Sequence, residues 1–225
     1  MIDFSSPHAW KRPFRNAKKL LFGRSVQAVL SVAYLAMATR ALGVEDFGVL
    51  TLITSTVGLV GTLASFQPAQ FILRYGARAM TNKNPTHLKK IICFGIQLEL
   101  LAAGVAVLAV WLLTEPLVAL FSIAPAYAHL MEIYALILPI TLIGGIAMGS
   151  LQLTDRHDLI SWQLTAAPMV KTIGAGFLFV YGGGVVGFLA LGALSALVGT
   201  LVICILAWRN MKGHIRTLRQ EVAAG

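Results

Sequence analysis

Of the chain's 225 residues, 57% are hydrophobic and only 12% charged, a balance that leaves little material for a separate water-soluble domain. The formal charge is +9, but the cations flank apolar runs, which suits anionic membrane lipid and argues against nucleic acid as a partner. There is no phosphate-cradling glycine loop, nucleophile constellation or histidine pair at metal-ligand spacing, so an enzyme, a resident metal and a cofactor all lack support.

Residues 1–24 form a basic cytoplasmic or interfacial segment, too polar for the core of a signal peptide. From Trp10 to Phe22, bulky apolar residues interleave with Lys11, Arg12, Arg15, Lys18 and Lys19, a pattern compatible with a helix lying in the interface or with a basic tail. Residues 25–208 read as a six-helix transmembrane lobe whose first span is an uncleaved anchor. Its apolar runs are Ser25 to Leu42, Gly48 to Leu73, Ile91 to Leu113, Ile133 to Leu153, Leu159 to Tyr181 and Val185 to Trp208. Each is near or above the ~20 residues a helix needs to cross ~30 Å of hydrocarbon. They lack the alternation of barrel strands, so the predicted class is an all-α membrane protein. Residues 209–225 form a basic cytoplasmic tail.

The connections differ in character. Gly43 to Phe47 is a tight turn in which Glu45 and Asp46 precede the next helix, whose positive dipole end favours them. Arg74 to Lys90 is longer and basic, with Asn82, Asn84 and Pro85 as breakers. Thr114 to His129 contains Pro116 and Pro125, and a short outer helix is expected around Leu117 to Ser122. Asp155, Arg156, His157 and Asp158 read as a helix-capping turn rather than a metal site, and Gly182 to Gly184 as a glycine turn.

Lys and Arg concentrate in the segment before the first span, in the second and fourth connections, and after the last span. Of the eighteen, only Arg40 and Lys171 lie elsewhere. Cytoplasmic flanks retain such an excess, so both termini are expected in the cytoplasm.

Polar residues within the spans carry the functional signal. Arg24, Gln27, Ser31 and Tyr34 recur at helical spacing, as do Gln67, Gln70 and Arg74 around Pro68, so each set shares one face that should meet protein or water. Such stripes serve either helix-to-helix hydrogen bonding or a hydrated pathway. Glu99 and Lys171 are each the one charge within a span, and isolation in mid-membrane would cost about 2.5 to 3.5 kcal/mol on insertion scales. Both should therefore face the interior. Each lies about ten positions from the cytoplasmic end of its span, which gives similar depth at ~1.5 Å per residue and makes an ion pair between them geometrically allowed. Gly95, Ala102 and Ala106 share the face of Glu99 and permit close approach of a neighbour. Pro168 stands one turn before Lys171 and frees the carbonyl of Leu164, a local break of the kind that binds ions or substrates in transporters. Gly145, Gly149, Gly192 and Gly199 read as close-packing positions, and Cys93 and Cys204, both within spans, as small apolar residues.

Three stretches resemble one family. The run from Thr39 to Gly48 (TRALGVEDFG) resembles the first outer turn of the polysaccharide and O-antigen flippases of the multidrug/oligosaccharidyl-lipid/polysaccharide exporter superfamily. Gln70 to Gly76 (QFILRYG) is similar to the inner end of their second helix, and Thr154 to Leu159 (TDRHDL) to the turn before their fifth, with His157 standing where that pattern has an aromatic. The resemblance implies an exporter of lipid-linked oligosaccharide in the bacterial inner membrane, serving polysaccharide or lipopolysaccharide synthesis by alternating access between two six-helix lobes. It implies that this chain supplies the N-terminal lobe, with the second coming from another copy or a separately encoded partner. Arg24, Gln27, Gln70, Arg74 and Lys171 would then meet the pyrophosphate and glycan, and Glu99 would be an ion-coupling candidate. A non-transporting assembly subunit or a truncated remnant is the alternative.

The charge asymmetry makes a direct prediction. A cysteine at Glu45 should react with an impermeant reagent added to intact cells, and one at Lys83 only after the membrane is opened. Labelling of the Lys83 position from outside would overturn the orientation.

Overall fold

The computed structural model describes residues 11–82, 84–121 and 124–224. Lys83, Ser122, the residues before Lys11 and Gly225 lie outside the described residues, as do the side chains of Lys11, Arg12, Arg15, Lys18, Lys19, His157 and Arg219. The described chain is entirely helix, turn and short connection. In order come α1 (Lys11–Ala64), α2 (Pro68–Phe71), a π-helical turn (Ile72–Gly76), α3 (Ala77–Thr81), α4 (Pro85–Phe121), α5 (Ala126–Ala135), α6 (Leu138–Leu153), α7 (His157–Tyr181) and α8 (Val185–Ala224). Five helical stretches among the described residues are long and apolar enough to cross a membrane, which bears out the all-α membrane class. The first of the five is itself two arms, because Gly43 leaves helical geometry (φ 75°, ψ −177°) and separates residues 11–42 from 44–64. Positive φ there costs a glycine little, and that is why a glycine occupies the turn.

Contacts between the helices fix their directions. Thr172 of α7 reaches Leu30 and Gly176 faces Met37, so the first arm of α1 runs parallel to α7. Gly174 faces Leu191 and Gly199 faces Ala167, so α7 and α8 are antiparallel. Asn210 reaches Thr154 and Gly144 faces Thr200, which makes α8 parallel to α6. The second arm runs beside α6, from Gly61 on Leu138 to Gly76 on Leu153, and α4 returns against it, Gly95 lying on Phe71. The chain therefore alternates in direction along its length, with Gly43 and Gly182 at one end of the bundle and the described termini at the other.

Several element boundaries differ from the hydropathy reading, each for a local reason. The second apolar run ends as regular helix at Ala64, because Pro68 has no amide hydrogen and excludes the residue before it from the right-handed helical region. Gln67 accordingly sits at φ 50°, ψ 60°, a left-handed conformation that a side-chain-bearing residue adopts only under constraint. The fourth run divides at Leu136 and Ile137, whose amides donate to carbonyls three residues back before Pro139 enters the first turn of α6. Conversely, Pro116 does not end its helix: α4 continues to Phe121, so the expected separate helix around Leu117 is an extension of the span. Helix also continues outward at both ends of the described chain, from Lys11 into the first span and from Trp208 to Ala224.

Three apolar clusters hold the bundle. Near the Gly43 end, Ala38, Ile53, Val57, Val110, Met131, Ala175 and Phe188 join both arms of α1 to α4, α5, α7 and α8. At the opposite end Ile72, Ala79, Leu88 and Met211 pack together with Ile215 on their rim, anchoring the extension of α8 to α3 and the start of α4. Ala147, Leu151, Ile160, Ile203 and Ala207 join α6, α7 and α8.

The glycines read as packing positions do pack. A Cβ on Gly145 would meet the Pro68 ring at 2.5 Å, and one on Gly149 would meet the Ala69 Cα at 2.7 Å and its carbonyl oxygen at 3.1 Å. Backbone cannot give way as a side chain can, so Gly149→Ala should lower stability by about 1 to 3 kcal/mol through overpacking. Gly104→Ala, where nothing lies within 4 Å, should be neutral or mildly stabilising. Thermal unfolding in mild detergent measures both, and equal behaviour of the two variants would contradict this packing.

Candidate translocation face

Two concave surfaces flank the first third of α8, around Ser195 and Ala196. The first, about 560 Å³, is lined by Gln27, Ser31 and Tyr34 of α1, Pro168 and Lys171 of α7, and Ser195 of α8. The polar stripe of the first arm thus meets the charged residue of α7. The Lys171 ammonium lies 4.2 Å from the centroid of the Tyr34 ring, a cation–π contact worth about 0.5 to 2 kcal/mol depending on desolvation. Beside it, the Thr172 hydroxyl donates to the Leu30 carbonyl (3.0 Å) and ties α7 to α1.

The second surface, about 480 Å³, lies between the second arm of α1, α5, α6 and α8, and its polar lining comes from Thr54, Thr62, Ser65, Gln67, Tyr134 and Thr141. Thr54, Thr62 and Thr141 donate their hydroxyl protons to carbonyls of their own helices. Their remaining capacity is as acceptors, which suits a ligand rich in hydroxyl donors. Adjacent α8 residues, Ser195 and Ala196, line the first and second grooves respectively, so the two lie at one level of the bundle. Gly192 receives the Tyr134 hydroxyl close by, at 3.2 Å from where a Cβ would stand.

Glu99 is 1% exposed and does not pair with Lys171. Its Oε1 accepts the backbone N–H of Phe66 (3.2 Å) and lies 3.5 Å from the Ser65 hydroxyl, while Oε2 has no partner. A residue count along each helix gives height, but height does not fix azimuth. α4 packs on α5, α6 and the second arm, whereas α7 packs on the first arm and α8, so Glu99 is buried at the second arm while Lys171 lies half-buried on the first groove. Gly95, Ala102 and Ala106 line the face of Glu99, all buried, and Gly95 admits Phe71 and Ile146.

The other candidates lie outside both grooves. Arg24 is exposed one turn before Gln27, and Gln70 and Arg74 are exposed beyond Gln67, with the Arg74 guanidinium 5.9 Å from the Tyr75 ring centroid. Sequence reasoning missed Thr172, Ser195 and Tyr134. Thr172 adjoins the charged Lys171, which was a usable signal, but a lone serine and tyrosine on otherwise apolar helices give none. Away from the grooves, Tyr127 donates to Asp46 (3.0 Å) and braces the Gly43 turn, and Arg156 pairs with Asp158 (3.4 Å) in the turn before α7. Among the described residues no cluster of potential metal ligands occurs.

Because they occupy separate environments, Glu99→Gln and Lys171→Met should combine additively, within about 0.5 kcal/mol in unfolding free energy. A coupling energy well above that in a double-mutant cycle would restore the ion pair.

A family model described as polysaccharide biosynthesis protein matches residues 14–223. The inner membrane protein YghQ of Escherichia coli K12 is 26% identical over 180 residues, which cover 78% of this chain and 50% of that protein. The chain therefore spans about half the length of that curated relative. No solved structure matches it. The alternating apolar helices and the match along nearly the whole chain lead to one assignment: the chain belongs to the polysaccharide biosynthesis protein family.

Proposed function

We propose that this chain is one lobe of a flippase that moves lipid-linked oligosaccharide across the bacterial inner membrane for polysaccharide or lipopolysaccharide synthesis. In this reading the two arms of α1, α4, α5 with α6, α7 and α8 make six crossings, and both termini face the cytoplasm. The observation that carries it is the pair of grooves about α8, one with an ammonium group and the other lined by hydroxyls and Gln67. A lipid-linked sugar presents the same two chemistries, an anionic pyrophosphate and a neutral, hydroxyl-rich glycan.

The residues then divide the work. Arg24 and Arg74, toward the terminal end, attract the pyrophosphate electrostatically at the cytoplasmic mouth, with Gln70 beside Arg74. Lys171 receives it at mid-depth, where a cation is worth more because less water screens it. Gln27, Ser31 and Ser195 hydrogen-bond the adjoining sugar. The acceptor-rich groove takes the rest of the glycan. The acyl chains remain in lipid.

A single lobe does not enclose such a substrate, and a second six-helix lobe, from another copy or a separate polypeptide, faces these grooves in the working transporter. A parallel pair of lobes related by an axis along the membrane normal has the geometry of a duplicated repeat. A cysteine at Gln27 should therefore crosslink to the second lobe in membranes, and the protein, with that partner supplied, should restore glycan export to a flippase-deficient strain. Lys171→Met should reduce that export at least tenfold. A protein that is monomeric in nanodiscs, forms no crosslink and restores no export would leave the alternative, a non-transporting subunit or remnant.

A further inference from the structure

The Glu99 carboxylate sits at the one place where the second arm of α1 stops being helix. Its Oε1 accepts from Phe66 and Ser65, the residues between Ala64 and the αL turn at Gln67. The break is rigidly backed, since Pro68 and Ala69 lie against Gly145 and Gly149 of α6. Oε2 is buried without a partner.

No charged group answers it. Residues 65–67 and α6 carry no ionisable side chain, and α4 carries none between Lys90 and Glu115 apart from Glu99 itself and Cys93, which is exposed. On the π-helical turn, Arg74 and Tyr75 are exposed and lie against each other. On α5, His129 pairs with Glu132 (3.3 Å) toward the Gly43 end, and Tyr127 is bonded to Asp46 there, while Tyr134 faces Gly192. Arg78 of α3 and Arg209 and Lys212 of α8 are at the terminal end, and Lys171 is occupied by Tyr34.

We infer that Glu99 is a proton-binding site whose occupancy controls the break in the second helix. A proton rather than a metal cation fits the surroundings: hard cations take six or more oxygen ligands, whereas here one carboxylate oxygen is committed to donors, the Ser65 hydroxyl among them, and the residues sharing its face of α4 are glycine and alanine. The proton comes from water in the groove that Ser65 lines, and it adds to Oε2, turning carboxylate into neutral acid with no other bond made or broken. With Glu99 ionised, the Phe66 N–H and Ser65 O–H bonds are charge-assisted and pin the break. With Glu99 protonated they become ordinary neutral bonds and the pin loosens, letting the arm above the break move relative to α2. The use of this site in transport rests on the flippase reading, but the site itself does not.

Infrared difference spectroscopy on the full chain in nanodiscs, between acid and alkaline buffer, tests the proton directly. A protonated-carboxyl band should appear in acid, vanish in Glu99→Gln and shift in Ser65→Ala. Spin labels at Thr51 and Arg78, in a background of Cys93→Ala and Cys204→Ala, should show a broader distance distribution in acid than in alkali, and Glu99→Gln should show the broad one in both. Identical carboxyl bands in wild type and Glu99→Gln would overturn the inference, as would distances in the wild-type sequence that ignore pH. If Glu99→Gln does not fold, an acid-induced band unaffected by Ser65→Ala overturns it equally. Neither readout involves glycan export, so these failures would leave the flippase reading to its own test.

Discussion

Hydrocarbon supplies no hydrogen bonds, and any interruption of a helix inside it must be repaired by protein. That constraint organises the second arm of α1. Pro68 cannot donate and forces Gln67 out of helix, which strands the amide of Phe66; a buried carboxylate from the next helix accepts it. The repair requires α4 to come close, and Gly95 and the alanines around Glu99 make that possible. It also requires α6 to come close on the other side, where Gly145 and Gly149 leave room for Pro68 and Ala69. One proline thus accounts for small residues on two other helices.

The polar grooves obey the same rule in a milder form. Hydroxyls on Thr54, Thr62, Thr141 and Ser195 are satisfied by carbonyls of their own helices, so these four polar groups line the grooves without being stranded donors. Lys171 has no carboxylate partner and rests instead on an aromatic face, which holds the ammonium while leaving its hydrogens free for an anion. A salt bridge to Glu99 would have neutralised both groups and removed the electrostatic contrast between the two sides of the bundle.

Much of the fold was legible in the sequence because hydropathy and basic flanks are summed over many residues and tolerate local exceptions. The burial of Glu99 was legible for the same energetic reason, whereas Lys171 lies half-buried on an open groove. What could not be read was azimuth. A residue count along a helix gives height, but which neighbour a side chain meets depends on how all the helices pack, and so the pairing of Glu99 with a backbone amide was not foreseen. Prolines were the other difficulty. Pro68 and Pro139 coincide with interruptions while Pro116 and Pro168 lie within continuous helix. Tertiary contacts decide the outcome.

The extension of α8 has a mechanical consequence. At ~1.5 Å per residue its 40 residues measure about 60 Å, roughly twice the hydrocarbon thickness, so a large part of one continuous rod projects past the bilayer. Its first third separates the two grooves, and its far portion is clamped through Met211 and Ile215 to the segment that joins the second and third apolar runs. A tilt of about 5° at the grooves would displace a point ~25 Å further along by about 2 Å. The rod is therefore a lever. Any tilt imposed at the grooves would be carried to the α3 and α4 end by the rod itself, without any wire of side chains between them.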